Sequence, residues 1–445
     1  MPRLAIIDQV VSAGGVERFL HGLVGGMLDL SEIKGWDITI LLNRYNSGGR
    51  LVKWPEHLIA PNLRVAYLGD DRWSRLLDRL ARPRLILGIP GTGWAQAAIP
   101  RMLRRYGTPR MRMHAGDDRL RIEHCCSQQR FDVVYFSYPY LMDCPRMDVP
   151  LIATAHDFNY KRFSTFGPAI RDQIERQTPE WFHRCRRIVV SSEFMASELR
   201  HFYPEHAGKV RVIRLGIPAS ATSPASIDVE AYGRRLDLPK RFLLTAGWIV
   251  PHKNQKVLFE ALGRLRGKGI DMPLVCVGPN SGQLQADKKE EAAGYVVELL
   301  RTAENASLCS GRDFRGLGYV DDFELECLYR LAAGLVLPSL YEAGSFPLIE
   351  AARAHCPIAC SRIPAHVEQA NLLGNNIWLF EPSDPADLAD VIEAMLSQRE
   401  TAAQRATRAA ELVGQSYSWQ KAAEGYLSVF REAMQTDVQT GGGRT

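Results

Sequence analysis

Twice along its length the chain repeats one pattern, a short apolar run followed by an amphipathic helical stretch. No other feature of the sequence restricts the fold as much. The first series runs through Leu4 to Ile7, Ile38 to Leu42, Val65 to Leu68, Val133 to Phe136, Leu151 to Ala155 and Ile188 to Val190. The second runs through Phe242 to Ala246, Leu274 to Val277, Phe314 to Tyr319, Gly334 to Leu337 and Ile358 to Ser361. One of its helical stretches carries Val257, Leu258, Ala261, Leu262 and Leu265 on one face. Strands that alternate with helices pair in parallel and are covered on both faces. The expected fold is therefore α/β, with two separate Rossmann-like, doubly wound parallel-sheet domains. The polar stretch Ala219 to Ser226 reads as a linker and places the boundary near residues 218 to 240. Residues 1–225 are then the first domain and 236–415 the second. Residues 436–445, with three consecutive glycines, are expected to be a disordered tail.

The composition fits two soluble globular cores: 445 residues, 46% hydrophobic and 24% charged. No apolar run reaches the roughly 18 to 20 residues that a membrane helix needs. The N-terminus lacks a signal-peptide pattern and starts directly with a strand. Nine cysteines without C-x2-C pairs argue for reduced thiols and a cytoplasmic setting, with Cys356 and Cys360 in the core. The formal charge of +5 is unevenly spread. Arginines crowd the segment from Arg72 to Arg121, interleaved with Trp73, Leu76, Leu77 and Leu80 at helical spacing. Two readings stay open for it: a basic amphipathic helix against an anionic membrane or charged acceptor, or a solvated arginine face over the core. Nucleic acid is not an expected partner, because no recognition motif or set of stacking aromatics accompanies the arginines.

Glu342 and Glu350 form an E-x7-E pair across the end of a strand, a glycine loop and the start of a helix, with Pro347 suited to the helix's first position. Backbone amides of Gly344, Ser345 and Phe346 would face an anion there, in the field of the helix dipole. Carboxylates repel a phosphate, so two of them beside such a site are acceptors for hydroxyls, as on a hexose and a ribose. Each such bond contributes roughly 1.5 to 3 kcal/mol. One surface and one capping glutamate on an ordinary helix give the same spacing, so the rest of the chain has to decide.

A second phosphate signal follows the first strand of the second series. There Lys253 precedes a helix that Asn254 is placed to cap, so its charge could neutralise a pyrophosphate. The first domain has a glycine turn, Gly14-Gly15-Val16-Glu17, that is not G-x-G-x-x-G. A dinucleotide reading is weak for it, while a loop approaching a ligand from the opposite lobe remains open. His156 and Asp157 follow the strand Leu151 to Ala155, at the carboxyl end where doubly wound sheets place ligands, although a lone histidine is more often structural.

Together these residues resemble family 4 of the retaining, nucleotide-sugar-dependent glycosyltransferases, which have the GT-B architecture. The resemblance runs through Gly14 to Glu17, His156, Val190 to Phe194, Val212 to Ile217, Lys253-Asn254, Gly318 to Val320, Pro338 to Glu350 and Ser418-Trp419. It implies two domains facing across a cleft, the first completed by a C-terminal helix over residues 417–435. It implies a nucleoside diphosphate sugar held mostly by the second domain, with Glu342 on the transferred sugar, Glu350 on the ribose and Lys253 on the diphosphate. Gly344, Ser345 and Phe346 would orient phosphate and sugar, and Tyr319 and Val320 would lie by the base. Gly15 would approach the diphosphate from the first domain, with His156 near the reacting sugar and acceptor. The catalytic set is then Glu342, His156 and Lys253. Two positions depart from the family pattern. Trp248 stands where a second phosphate-binding arginine is common, and the usual Glu-Gly-Phe-Gly loop is Glu342-Ala343-Gly344-Ser345.

The expected reaction is hexose transfer with retention to a glycan or lipid-linked acceptor in cell-surface polysaccharide or glycolipid synthesis. GDP-mannose is the first donor to consider and a UDP-sugar the next, with no other cofactor. No Asp-x-Asp motif is evident, so no metal ligand is assigned. The expected location is cytoplasmic, peripheral at the inner face of the membrane. The alternatives are an epimerase or phosphorylase on the same scaffold, and a catalytically silent sugar-nucleotide-binding partner of a glycan-assembly complex.

Overall fold

The computed structural model describes residues 1–8, 15–43, 52–68, 118–139, 142–163, 167–217, 228–285 and 294–435. The linker at 219–226, the tail at 436–445, Gly14 and all of the arginine-rich segment before residue 118 lie outside the described residues. Two all-parallel sheets form the scaffold, each with helices on both faces. The first has the order β3-β2-β1-β4-β5-β6-β7, from β1 (Arg3–Asp8), β2 (Asp37–Asn43), β3 (Leu63–Leu68), β4 (Val133–Phe136), β5 (Leu151–Thr154), β6 (Cys185–Val190) and β7 (Val210–Val212). The second has the order β10-β9-β8-β11-β12-β13. Its strands are β8 (Leu243–Ala246), β9 (Leu274–Val277), β10 (Phe314–Gly318), β11 (Gly334–Leu337), β12 (Ile358–Ser361) and β13 (Trp378–Phe380). Helices bury both faces of each sheet, which is why the strands read as unbroken apolar runs rather than alternating ones. No helix among the described residues is long and apolar enough to cross a membrane.

Two strands escape the sequence pattern. Both β7 and β13 are three residues long at a sheet edge and only partly buried, too short for an apolar run to show. β6 also begins three residues earlier than its apolar core, because Arg186 and Arg187 are strand residues. Their charged ends are drawn off: Arg187 pairs with Glu432 at 2.8 Å and Arg186 donates to the Ala433 carbonyl at 3.0 Å.

Those partners belong to the last helix, Trp419–Gln435, which follows the second domain in sequence but packs on the first. Its Trp419, Ala423, Tyr426 and Phe430 join Phe19, Leu23 and Tyr135 in one buried cluster. The Tyr426 hydroxyl bonds Thr154 Oγ1 at 2.7 Å. Trp419 seats against three glycines, Gly22, Gly26 and Gly216, where any Cβ would overlap it.

In each sheet the strand order reverses once, between β1 and β4 and between β8 and β11. At such points the loops leaving neighbouring strands diverge to opposite faces and open a crevice beyond the carboxyl ends. Gly15 comes after β1, and Lys253 and Glu342 come after β8 and β11, the strands that flank these crevices, whereas His156 follows β5 and Tyr319 follows the edge strand β10.

The glycine seat yields a stability prediction. Gly26→Ala forces a methyl group against the Trp419 backbone and is expected to destabilise by about 1 to 3 kcal/mol, as overpacked cores do. Gly414→Ala, in a helix with open space at the Cβ position, should gain up to about 1 kcal/mol. Thermal unfolding of the two variants checks the ordering. Equal midpoints would contradict the packing described.

Candidate active site

The loops leaving β8 and β11 carry the site. After β8, Gly247 takes φ 142° and the chain makes a short turn through Pro251–Lys253 before the helix Gln255–Gly267. Asn254 occupies the position before that helix, but in the left-handed region at φ 53°. Its side chain donates to the Pro382 carbonyl at 2.8 Å and does not cap, contrary to the sequence reading. After β11, the Leu340 amide donates to the His252 carbonyl at 2.8 Å, which ties the two loops side by side. Lys253 Nζ consequently lies 2.5 Å from Glu342 Oε1. Ser339 Oγ donates to the same oxygen at 2.7 Å.

Both groups are largely desolvated, Lys253 being 24% and Glu342 11% exposed. Burial opposes the charge on Glu342. Lys253 and His366, with the hydrogen bonds from Lys253 and Ser339, outweigh it and hold the carboxyl below its ordinary value. Because both donors fall on Oε1, no protein donor among the described residues reaches Oε2. An ammonium has three protons, and Glu342 takes one of them. The pair is thus satisfied within the protein while keeping an acceptor and two donors for a ligand.

Sequence reasoning did not reach the residues that hold this pair in place. Ser361, at the end of β12, donates Oγ to the Ser339 carbonyl at 2.5 Å. His366 Nδ1 lies 3.0 Å from the Ser361 carbonyl. A carbonyl only accepts, so Nδ1 carries the proton and Nε2 is left with its lone pair, buried and without a protein partner among the described residues. The available signal was a serine at or near the end of each of two apolar strands, Ser361 as the last residue of β12 and Ser339 two residues beyond β11. His366 gave no signal beyond its place in a helix start.

Beyond the carboxylate, the helix Phe346–Arg353 begins one residue before Pro347. The Ser345 amide, expected to face an anion, donates instead to Gln369 Oε1 at 3.1 Å, and the Ser345 carbonyl accepts from the same side chain. Among the described residues, the amides of Gly344 and Phe346 have no protein acceptor. Glu350 also departs from the expectation of a carboxylate kept for hydroxyls. Arg18, from the first domain, donates to its Oε1 at 2.8 Å, and the Tyr329 hydroxyl donates to its Oε2 at 3.1 Å. Burial nevertheless raises the Glu350 carboxyl. Arg18 directly follows the Gly14 to Glu17 turn, and nothing local marks it, since its partner is 332 positions away.

The floor beside Lys253 is built from glycine backbone. The Gly247 amide donates to the Val277 carbonyl and the Gly278 amide to the Gly318 carbonyl. A Cβ on Gly278 would overlap the Gly247 carbonyl. Tyr319 follows Gly318 and is exposed, with Val320 partly exposed beside it. Trp248 is exposed as well, so no cation stands at that position.

From the first domain, Gly15 opens the helix Gly15–Leu28 and faces the Phe346 ring. His156 lies between Phe19 and Tyr138, with ring centroids 5.0 and 5.9 Å away. Its Nε2 donates to the Ser137 carbonyl at 2.6 Å, and burial lowers its pKa to about 4, so the ring is neutral at pH 7 with Nδ1 an acceptor. Asp157 feels the ion pair across the cleft: burial raises its carboxyl, Lys253 lowers it and Glu342 raises it. The structure therefore brings Lys253, Glu342, His156 and Asp157 to one cleft, with Gly15 and Glu350 on its Arg18 side.

Known proteins share this plan. Residues 232–412 match the description "Glycosyl transferases group 1", and residues 13–221 match "Glycosyltransferase Family 4". A glycogen synthase of Mycobacterium tuberculosis is 25% identical over 66% of this chain and 65% of its own length. The D-rhamnosyltransferase WbpZ of Pseudomonas aeruginosa is 28% identical over 57% and 61%. The serotype-specific mannosyltransferase WbdA of Escherichia coli is 25% identical over 69% of this chain and 36% of its own length. The matches thus span less than two thirds of these relatives. Among solved structures, a sucrose-phosphate synthase from Thermosynechococcus elongatus superposes with TM-score 0.66 at 16% identity, covering 98% of this chain and 100% of its own. Anabaena HepE in complex with UDP and glucose gives TM-score 0.62 at 14% identity, covering 97% and 100%. These likenesses show the two-domain fold.

His366 makes the supporting network testable through pH. Burial lowers its pKa from 6.5 to about 4. Below pH 6.5 the unfolded chain binds a proton that the folded chain refuses, so the stability is complete above pH 6.5 and is lost as pH falls toward 4. One pKa unit is worth about 1.4 kcal/mol. Unfolding of wild type and His366→Gln at pH 7 and pH 5 should show the variant losing about 2 kcal/mol less over that interval. Identical losses would contradict a buried neutral imidazole.

Proposed function

The chain belongs to family 4 of the glycosyltransferases, group 1, and from that premise we propose that it transfers a hexose from a nucleoside diphosphate sugar to a glycan or lipid-linked acceptor with retained configuration. One observation carries the reading: the Lys253–Glu342 pair at the crevice of the second sheet, satisfied on one carboxylate oxygen and open on the other. Glu342 Oε2 accepts from a hydroxyl of the transferred sugar. The Lys253 ammonium and the free Gly344 and Phe346 amides, at the start of the helix Phe346–Arg353, meet the diphosphate and stabilise the charge that grows on it as the glycosidic bond breaks. In a site this poor in water such charges act more strongly than in bulk. Trp248 brings no second cation, so Lys253 carries a larger share.

His156, neutral and facing the cleft from the first domain, supplies an acceptor near the reacting sugar. No protein group is assigned as a covalent nucleophile. The departing phosphate takes the acceptor's proton, and Glu342 positions the sugar rather than attacking it. A divalent cation is not needed in this scheme. The exposed Tyr319 and Val320 lie by the base, and Glu350 lies by the ribose. Similarity to a mannosyltransferase and a D-rhamnosyltransferase supports GDP-mannose as the first donor to test. The UDP in the HepE complex makes a UDP-sugar the second. The acceptor meets the first domain. Contact with the inner membrane face through the arginine-rich segment, and a place in cell-surface polysaccharide or glycolipid synthesis, complete the proposal.

A thermal-shift screen of GDP, UDP, ADP and their sugars identifies the donor, since a ligand at 100 times its Kd stabilises by about 2.7 kcal/mol. With that donor, Lys253→Ala and Glu342→Ala should each lower transfer by at least about 100-fold, the scale of losing one preorganised charge or donor. Near-normal turnover in both would remove the site assignment. Donor consumption without any acceptor would replace transfer with an epimerase or phosphorylase reaction.

A further inference from the structure

Glu350 is held from the opposite domain. Arg18 sits in the first turn of the helix Gly15–Leu28, and its guanidinium reaches two carboxylates on two helices of the second domain. One is Glu350, on the helix Phe346–Arg353, and the other is Asp322, the first residue of the helix Asp322–Leu331. The two pairs differ in kind. Asp322 is 64% exposed, so its pairing is solvated and weak, whereas Glu350 is 8% exposed and its partner replaces lost hydration. Arg18 is the one group among the described residues that hydrogen-bonds Glu350 Oε1, with Tyr329 on Oε2. A guanidinium spans two acceptors in a fixed plane, which an ammonium does not.

Arg18 comes from the first domain and Glu350 from the second, so the contact exists only while the cleft is closed at this edge. The other polar bridges between the domains use different residues. The Phe158 amide donates to the Tyr341 hydroxyl, Ser192 Oγ donates to the Ala343 carbonyl, and Glu368 accepts from the amides of Glu193 and Phe194. None of these bonds involves Arg18, so none of them ties Glu350 to the first domain.

We propose that Arg18 is a positioning residue that couples closure of the cleft to the ribose side of the donor site, orienting Glu350 for the ribose hydroxyls only when the domains are together. The proposal rests on the reading of Glu350 as the ribose acceptor. The Arg18 guanidinium is engaged by Glu350 and Asp322. Its removal weakens the nucleoside through Glu350 and loosens the closed form.

The test uses the full chain with Arg18→Gln, Arg18→Lys and Asp322→Asn. Calorimetry measures Kd for whichever of GDP or UDP binds wild type and for the corresponding 2′,3′-dideoxynucleoside diphosphate. Arg18→Gln should weaken the natural ligand by 10-fold or more and the dideoxy ligand by less than 3-fold, because the latter offers Glu350 no hydroxyl. Arg18→Lys should fall between wild type and Arg18→Gln, and Asp322→Asn should stay within 3-fold of wild type. Small-angle scattering without ligand should show a larger radius of gyration for Arg18→Gln than for wild type. Equal weakening of both ligands, or none, would overturn the coupling, as would unchanged scattering. If wild type binds neither nucleotide, the ribose reading itself fails, and scattering alone then decides whether Arg18 closes the cleft.

Discussion

The Lys253–Glu342 ion pair sets the terms for the rest of the molecule. Opposite charges 2.5 Å apart and mostly out of water are stable only if both are fully supported, because an unmatched charge there would cost several kcal/mol. The second sheet meets that demand by bringing the loops after β8 and β11 into contact through the Leu340 amide and the His252 carbonyl. Ser339 shares the carboxylate oxygen, Ser361 holds the Ser339 backbone, and His366 holds Ser361. Ser339 and Ser361 sit at or near strand ends and His366 in the first turn of the helix that follows β12, so the order of the sheet is what lets a buried charge pair exist at this place.

A pair supported in this way is also chemically biased. It withholds one carboxylate oxygen and one ammonium proton and leaves the others for a ligand in a cleft that also holds Asp157 and the Arg18–Glu350 pair. His156 is kept uncharged by burial, and the Gly247, Gly278 and Gly318 floor presents backbone in place of side chains. Such a surface favours a ligand with an anionic middle and hydroxyls on either side. The loop from Tyr341 to Phe346 belongs to the second domain in sequence, yet Tyr341 bonds the Phe158 amide and Ala343 accepts from Ser192. Domain contact is therefore built on the loop that carries Glu342, which makes the position of the first domain part of the candidate site.

How much of this could be read from sequence follows from the range of each interaction. Strands buried on both faces announce themselves as apolar runs, so Val133–Phe136, Leu274–Val277 and Ile358–Ser361 were legible residue for residue. Short edge strands such as Val210–Val212 were not, and Arg186 and Arg187 hid the start of a strand because Glu432 and Ala433, which receive them, are some 250 positions away. The spacing of Glu342 and Glu350 located two carboxylates but not their fates. Local sequence cannot show that Arg18 crosses the cleft to one of them, or that Gln369 takes the Ser345 amide. Asn254 shows the same limit at short range. It stands where a cap belongs, but its left-handed backbone sends the side chain to Pro382.

The central claim is that a nucleoside diphosphate sugar docks where Lys253 and Glu342 meet. Hydrogen–deuterium exchange with and without the nucleoside diphosphate that binds tests it most directly, because it reports location without presuming an acceptor or a turnover. Protection is predicted in peptides covering 247–256 and 338–350. Protection absent from both, or confined to a distant surface such as the one that carries Arg264, Arg301 and Asn305, would contradict it.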